Sequence, residues 1–265
     1  MDLLKRALAP ITEEAWTQID EQAKDTLVNT LTARKVVDVI GPKGWDYNAV
    51  GYGRLIFPDK QEKDEVHYGL YEVQPLLEAR VPFTLDLWEL DNATRGAQDV
   101  DLDPVIAAAR KIALFEERAI YHGLPKAVIH GLVESSGHEP IRLTQQPEEF
   151  FKGISRGVTN LHLAGMGEAC ALVINPDLWN EAASAVQGYP LQRRVEELIN
   201  GNVIWSPTLE GALLVATRGG DFELVIGQDL TVGYESHTSQ DVTLFLTESF
   251  TFRVLEPKAI IHCPR

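Results

Sequence analysis

The sequence has few cysteines and few basic residues for its length, and each shortage excludes a class of protein. Of 265 residues only two are cysteines, Cys170 and Cys263, from which neither a disulfide framework nor a zinc knuckle can be built. The 24 lysines and arginines are outnumbered by 39 aspartates and glutamates, which gives a formal net charge of −15. Because phosphate binding requires a basic face, this balance argues against nucleic acid as a ligand. The excess acid fits two interpretations, solubility and the attraction of cations.

Long apolar segments are also missing. No apolar run approaches the roughly 18–20 residues of a membrane span. The start of the chain, with Asp2, Lys5 and Arg6, is too short and too charged for a signal peptide. Together with the few cysteines, this predicts a protein of a reducing compartment, and we expect it in the cytoplasm. With 45% hydrophobic residues the chain can still bury a core, so disorder is not expected.

Catalytic and cofactor motifs are absent as well. The seven histidines show no HExxH pair or other metal-ligand spacing, and neither a nucleophile elbow nor a phosphate-binding loop occurs. The segment from Asp99 to Asp103 opens like a calcium loop, but Pro104 and Arg110 stand where such a loop needs glycine and glutamate. The sequence therefore predicts a protein that is not an enzyme and that has no metal site.

What the sequence does contain is an unusually long alternating segment. From Leu77 to Leu87 apolar and polar side chains alternate, which predicts one strand with an apolar face, and the strand then breaks into the acidic corner Trp88–Asn92. Ordinary strands run about 5–6 residues, so a strand of this length indicates the base of an arm that joins one subunit to the next. A second long strand is predicted from Val242 to Leu255, where Glu248 interrupts the apolar side.

Helical signals complete the coarse organisation. Thr12 can cap a first helix that closes near Arg34. Asp103 to Gly123 carries a capping residue, an early proline and a terminal glycine, which predict a long helix. Residues 49–87 are strand-like and are broken by a charged stretch at 58–65 that resembles the tip of an extended hairpin. Because strand-rich segments bracket a helical middle, we expect the chain to enter and leave one domain twice.

Seven segments, in order along nearly the whole chain, carry a family resemblance. They are Leu4–Arg6 with Ala9–Pro10, Arg34–Val39 with Gly41–Pro42, Phe83–Asn92, Gly188–Leu191, Thr217–Phe222, Gly227–Leu230 with Gly233–Tyr234, and Thr247–Glu248 with Phe250–Phe252. Together they resemble the encapsulins, the shell proteins of bacterial and archaeal nanocompartments, once also described as linocin-type bacteriocins. The stretches 58–65 and 134–146 find no match in this comparison.

The resemblance implies an α+β fold of the tailed-phage major-capsid type, with a peripheral domain, an axial domain and an extended loop. The N-terminal helix and the start of the peripheral domain would occupy residues 1–48, and the extended loop would occupy 49–77. The peripheral domain with its spine helix would follow at 78–134 and the axial domain at 135–220. Residues 221–265 would return to the peripheral domain and end the chain.

The implied function is that of a self-assembling subunit of an icosahedral nanocompartment in the cytoplasm. Its partners would be copies of itself and a cargo enzyme, either a ferritin-like iron oxidase or a dye-decolourising peroxidase, in iron storage or oxidative stress. Small ions would enter through pores. Two alternatives stay open. A bacteriocin- or protease-like enzyme lacks support from any nucleophile–base pair, and a phage-derived capsid protein is opposed by the acidic charge.

The resemblance also implies a site for cargo. A C-terminal targeting peptide of the cargo enzyme would dock on the luminal face, in a groove between the first helix and the late strands. An apolar groove with an arginine and an aspartate at its edge suits an extended peptide. The alternative is that the leucines of the first helix simply pack into the core. The matching positions are Leu27, Leu31, Arg34, Asp38, Leu230, Tyr234 and Leu246.

Two further sites are implied in the same way. Gln187, Gly188 and Tyr189 would form a pore at the fivefold axis, although a plain surface turn is the alternative. No cofactor is required, but Arg80 and Trp88 would hold a flavin in family members with the same corner. A broad aromatic face suits an isoalloxazine ring. Structural packing of Trp88 is the competing interpretation.

Overall fold

A computed structural model describes residues 3–59, 66–144, 146–167, 169–184 and 190–265 of the chain. Within these residues the chain forms six α-helices and eleven strands. The helices are α1 (Glu13–Thr30), α2 (Leu87–Thr94), α3 (Asp103–His122), α4 (Pro147–Leu163), α5 (Pro176–Ser184) and α6 (Leu191–Ile199). The strands are β1 (Asp38–Ile40), β2 (Ala49–Ile56), β3 (Leu70–Pro75), β4 (Leu77–Asp86), β5 (Cys170–Ile174), β6 (Val203–Trp205), β7 (Ala212–Ala216), β8 (Phe222–Ile226), β9 (Thr231–His237), β10 (Asp241–Val254) and β11 (Ile260–Cys263).

The first sheet is organised around the long strand β10. Its strand order is β1-β8-β10-β4, and β9 also pairs with β10. The ladder between β4 and β10 is antiparallel and runs from the pair Asp86–Asp241 to the pair Leu77–Phe250. The two long strands predicted from alternation are thus confirmed, and they are direct neighbours. The acidic corner after β4 is the helix α2, because Asp86 caps it by accepting a hydrogen bond from the Glu89 N–H at 2.9 Å.

Helices α1 and α3 cover the apolar face of this sheet. Thr12 caps α1 through a hydrogen bond from the Ala15 N–H, as predicted. The helix ends at Thr30, earlier than predicted, and Arg34 lies instead in a short 3₁₀ turn, Ala33–Lys35. Helix α3 spans the predicted segment. Asp103, which was predicted as the residue that caps this helix, is its first residue. The apolar stripes of α1 and α3 join the inner face of β10 in one core cluster.

The second sheet has the strand order β11-β7-β5-β6. Every residue of β5 and β7 is buried, because this sheet packs against α4, α5 and α6 in a second core cluster. The last strand, β11, pairs with β7 and so belongs here. The side chain of Ile260 is buried in the second cluster, which also includes residues of β8 and β10. The predicted domain boundaries stay predictions.

Strands β2 and β3 form a separate two-stranded ribbon. We call it the arm; it leads directly into β4, and residues 60–65, which include most of the charged tip, lie outside the described residues. Many large apolar side chains of the arm, and of the residues next to its two strands, are exposed. They are Tyr52, Leu55, Ile56, Phe57, Val66, Tyr68, Leu70, Tyr71 and Val73. In the part of the chain described, no helix is both long and apolar enough to cross a bilayer.

Candidate functional site

A groove of about 380 Å³ lies between α1 and the strands β9 and β10. Five of the seven residues predicted for cargo docking line it together. They are Leu27, Leu31, Arg34, Leu230 and Leu246. Leu27 and Leu31 come together because they are separated by four residues, which places them on one face at the end of α1. Ala23, Val28 and Val232 complete the apolar lining.

The groove has a buried floor and an exposed rim. Leu27, Leu31 and Leu246 are buried and belong to the core cluster of the first sheet, so packing in the core and lining the groove are not exclusive. Val28, by contrast, is 60% exposed and stands at the rim. A ligand would therefore rest on side chains that the fold already holds in place, and it would cover Val28.

Asp38 and Tyr234 are not among the residues that line the groove. Asp38 lies at the start of β1, where its Oδ2 accepts a hydrogen bond from the Gly220 N–H at 2.6 Å. The Tyr234 hydroxyl is hydrogen-bonded to Nδ1 of His237 at 2.6 Å. Two acidic residues that were not predicted line the groove instead, Asp229 beside Arg34 and Asp20 beside Arg6.

Arg34 is held at the end of the groove by acidic side chains from distant parts of the chain. Its Nε donates to both oxygens of Glu116 at 2.9 and 3.1 Å, and its Nη1 donates to Asp229 at 2.9 Å. Its side chain is only 18% exposed. Burial would lower the pKa of Arg34, but the hydrogen bonds and charges of Glu116 and Asp229 raise it above the usual value, so Arg34 stays charged.

Glu117 ties the same turn to the second sheet. Its carboxylate accepts hydrogen bonds from the Thr32 hydroxyl, from the Ala33 N–H at 2.6 Å and from the Ser206 hydroxyl at 3.4 Å. Ser206 directly follows β6, so this carboxylate connects α3, the turn after α1 and the second sheet. Burial raises the pKa of Glu117 to about 7, although the Thr32 and Ala33 hydrogen bonds work in the opposite direction.

Glu248 lies beneath Arg34 on the inner face of β10. It is completely buried, and neither of its carboxyl oxygens accepts a hydrogen bond from the described residues. Nη2 of Arg34 is 3.5 Å from Oε2, an ion-pair distance. Sequence reasoning noticed Glu248 as an interruption of an apolar strand face. It missed Glu116 and Glu117, because neighbouring glutamates on a helix are ordinarily solvated.

The pore residues Gln187, Gly188 and Tyr189 lie outside the described residues, so the pore stays a prediction. A larger cleft of about 1120 Å³ lies at the end of α3, but none of the predicted residues lines it. Its polar groups are partly satisfied within the chain, since His122 is hydrogen-bonded to the Thr208 carbonyl at 2.8 Å. We therefore place the candidate site at the groove, where apolar lining and a fixed arginine meet.

The two residues predicted for flavin binding do not line one cavity. Trp88 is 74% exposed beside a shallow cavity that also contains Asp86, Glu89 and Asp101. Arg80 lies elsewhere, with its guanidinium 4.0 Å from the centroid of the Phe245 ring. The same cavity also contains one cation, Arg95. Within the described residues the structure does not bring Arg80 and Trp88 to one cavity, and flavin binding stays a prediction.

Comparison with protein families and known proteins gives a consistent result. The model of the family described as "Encapsulating protein for peroxidase" matches residues 1–251. The chain is 41% identical to a type 1 encapsulin shell protein of Rhodospirillum rubrum, over 98% of this chain and 96% of that protein. It is 39% identical to a type 1 encapsulin shell protein of Rhodococcus erythropolis, over 98% and 99% of the two chains.

Solved structures share the fold at low sequence identity. A virus-like particle from Pyrococcus furiosus matches with a TM-score of 0.68 and 18% identity, over 92% of this chain and 97% of that one. The capsid of Myoviridae phage XM1 matches with a TM-score of 0.61 and 13% identity, over 88% and 91%. The predicted α+β fold of the phage major-capsid type is confirmed.

Proposed function

The chain belongs to the encapsulin shell-protein family, and from this we propose that its copies enclose a cargo enzyme that the groove beside α1 holds by a terminal peptide. The relatives are shell proteins, which is a structural role. Assembly into a shell of identical subunits agrees with the capsid-like structural neighbours. The cargo, the peptide, the entry of ions and the location in the cytoplasm are the parts that we propose.

The observation that carries the cargo proposal is the composition of the groove. Its floor is built from leucines, while Arg34 has its charge balanced by Glu116 and Asp229. Arg6, at another edge, is paired with Asp20 at 2.7 Å. A groove of this kind selects apolar side chains of an extended peptide by shape, with polar groups at the edge to bind its backbone.

For the cargo itself we favour a dye-decolourising peroxidase, with a ferritin-like iron oxidase as the second candidate. The description of the matching family names a peroxidase, which supports this order. The −15 charge of each subunit supports the passage of cations through pores near residues 187–189, because many acidic subunits raise the local cation concentration.

The arm is the segment that we propose to join neighbouring subunits. Its apolar side chains are exposed on both faces of the ribbon, and an apolar surface of this kind is typical of a protein interface. The function therefore divides between the arm, which would close the shell, and the groove, which would recruit the cargo.

Flavin binding stays a narrower proposal that rests on Trp88 alone. If a flavin is bound, the purified shell carries flavin absorbance and Trp88→Ala removes it, whereas Arg80→Ala leaves it unchanged. A flavin-containing shell that keeps its absorbance in Trp88→Ala would contradict this proposal.

The cargo proposal is tested at the rim of the groove, where a substitution does not disturb the core. Val28→Glu places a charge in the groove and should lower cargo occupancy at least tenfold, while Asn29→Glu, on the next exposed position outside the lining, should not. Electron microscopy should show closed spherical shells for both variants. A stable monomer or dimer of the unaltered protein would argue against a shell, and equal cargo occupancy in the two variants would argue against the groove.

A further inference from the structure

Beneath the groove, Arg34 lies among the carboxyl groups of Glu116, Asp229 and Glu248. Among these groups, Glu248 is the one whose negative charge the described residues do not fully neutralise. Glu248 is completely buried and its two oxygens accept no hydrogen bond there. The nearby cation is Arg34, but its guanidinium already donates to Glu116 and Asp229. An ionised carboxylate in this position would lack the donors that make burial of a charge tolerable.

The groups that face Glu248 come from each of the elements packed against it. Helix α3 contributes Glu116, the turn after α1 contributes Arg34, and the loop before β9 contributes Asp229. Strand β4 contributes Ala79, which stands opposite Glu248 in the ladder. The charge of Glu116 lies beside Glu248, so ionisation of Glu248 would bring a second buried negative charge next to it.

The hydrogen bonds show which carboxyl group would gain from a proton. Glu116 accepts hydrogen bonds from Arg34 at both oxygens, so its carboxylate already has donors. Glu248 has no donor, but as an acid it gains a hydroxyl that can be donated to Glu116. Burial, followed by the negative charge of Glu116, raises the pKa of Glu248 well above the usual value.

We propose that Glu248 is a protonated positioning residue, whose hydrogen bond to Glu116 keeps Arg34 and Asp229 in place at the end of the groove. This inference rests on the proposed function, because it concerns how the groove takes its peptide. Loss of the proton places a third negative charge beside Arg34, which already pairs with Glu116 and Asp229. The guanidinium is then drawn toward Glu248 and water enters the inner face of β10, which disturbs the groove from below.

The direction of the pH effect follows from the raised pKa. A carboxyl group whose pKa is higher in the folded state stabilises the fold while it is neutral, and that contribution is lost as the pH rises through its folded pKa. Peptide binding should therefore weaken as the pH rises through the folded pKa of Glu248. Glu248→Gln removes the titration but keeps an N–H donor toward Glu116, so this variant should bind independently of pH.

The binding test uses labelled synthetic peptides in which two leucines are separated by one, two or three glycine or serine residues. Affinity for the intact shell is measured from about pH 6 to about pH 10, the range in which buried glutamates titrate. We expect at least a tenfold loss for the unaltered shell and a flat profile for Glu248→Gln. Equal losses in both, or a flat profile for the unaltered shell, would overturn the proposal.

A spectroscopic test reports the proton itself and needs no peptide. Infrared spectra of the shell should contain a component of a protonated, buried carboxylic acid that disappears in Glu248→Gln and as the pH rises. Glu117 is the other buried glutamate with a raised pKa, so Glu117→Gln is the matched control and should remove only a separate component. An acid band that is unchanged in Glu248→Gln and vanishes completely in Glu117→Gln would assign the proton to Glu117 and reject the proposal.

Different results would contradict the proposed function and the role of Glu248. If Val28→Glu binds the peptides as well as the unaltered shell does, the groove is not the docking site and the proposed function fails. If Val28→Glu abolishes peptide binding but Glu248→Gln still loses affinity as the pH rises, the groove is the docking site and the proposed role of Glu248 is wrong.

Discussion

Two pairs of antiparallel strands in this chain have similar apolar content and opposite environments. The pair β4–β10 buries one face against α1 and α3, and all the apolar inner side chains from Val242 to Phe252 lie in the core. The arm, β2–β3, exposes Leu55, Leu70 and Tyr71, and no helix covers it in the part of the chain the structure describes. Alternation of apolar and polar residues therefore predicts that a segment is a strand. Whether the apolar side chains of that strand are buried depends on the helices and strands that pack against it.

An isolated two-stranded ribbon is marginally stable in water, since it has too little buried surface. The arm therefore depends on contacts outside its own chain far more than the β4–β10 pair does. In a shell of identical subunits, the natural source of these contacts is a neighbouring copy. In the proposed shell the arm would close the assembly, while the long ladder stabilises the subunit.

The largest expected effect follows from removing apolar surface from the arm. Leu70→Ser combined with Tyr71→Ser should abolish shells, because both side chains are more than half exposed and can bury their area only against a neighbour. Electron microscopy and sedimentation velocity measure the loss. Leu70→Ile combined with Tyr71→Phe keeps the apolar area and should still assemble. Normal shells from the double serine variant would remove the distinction between the two strand pairs.

The next effect is a loss of subunit stability from the ladder. Phe250 is completely buried and makes an edge-to-face contact with Phe115 at a centroid distance of 6.2 Å. Phe250→Ala should lower the free energy of unfolding by about 3–5 kcal/mol, the cost of a large cavity. Urea unfolding in the background of the double serine variant separates this cost from assembly. The two serine substitutions alone should change the free energy of unfolding of the subunit by about 0.5 kcal/mol or less. If they lowered it as much as Phe250→Ala does, the arm would stabilise the subunit as the ladder does, which would contradict the difference between the two strand pairs.

A third effect concerns the junction of the two sheets, where Glu117 is buried with a pKa of about 7 against an ordinary value of 4.5. Because the folded pKa is raised, the neutral form is favoured by folding, and stability is lost as the pH rises through about 7. The loss between the two pKa values should be roughly 3 kcal/mol. Urea midpoints in the same double serine background measure it. Glu117→Gln should flatten the dependence, and an unchanged slope in that variant would assign it to another group.

The sequence predicted the parts of the molecule that depend on local pattern. Helix α3 and strand β4 lie where capping and alternation place them, within a residue at most boundaries. The resemblance brought Leu27 and Leu246 together correctly. Asp38 was predicted at the groove but does not line it, whereas Asp229 does. Arg34 meets Asp229 across 195 positions of the chain, because α1 ends at Thr30 and the chain turns. The spacing of residues along the sequence does not show that two residues so far apart form an ion pair in the fold.

The smallest expected effect compares a glycine of β9, which pairs with the long strand β10, with a glycine of the arm. In β9, a Cβ added to Gly233 would collide with the ring of Phe245 on β10, whereas a Cβ added to Gly51 of the arm meets nothing within 4 Å. Gly233→Ala should therefore cost about 1–3 kcal/mol through overpacking, and Gly51→Ala should be neutral or stabilise by up to about 1 kcal/mol. Urea midpoints in the double serine background measure both changes. A Cβ at Gly51 has no neighbour to displace in a single subunit. Equal losses of stability from the two substitutions would therefore mean that the arm is packed against its own chain.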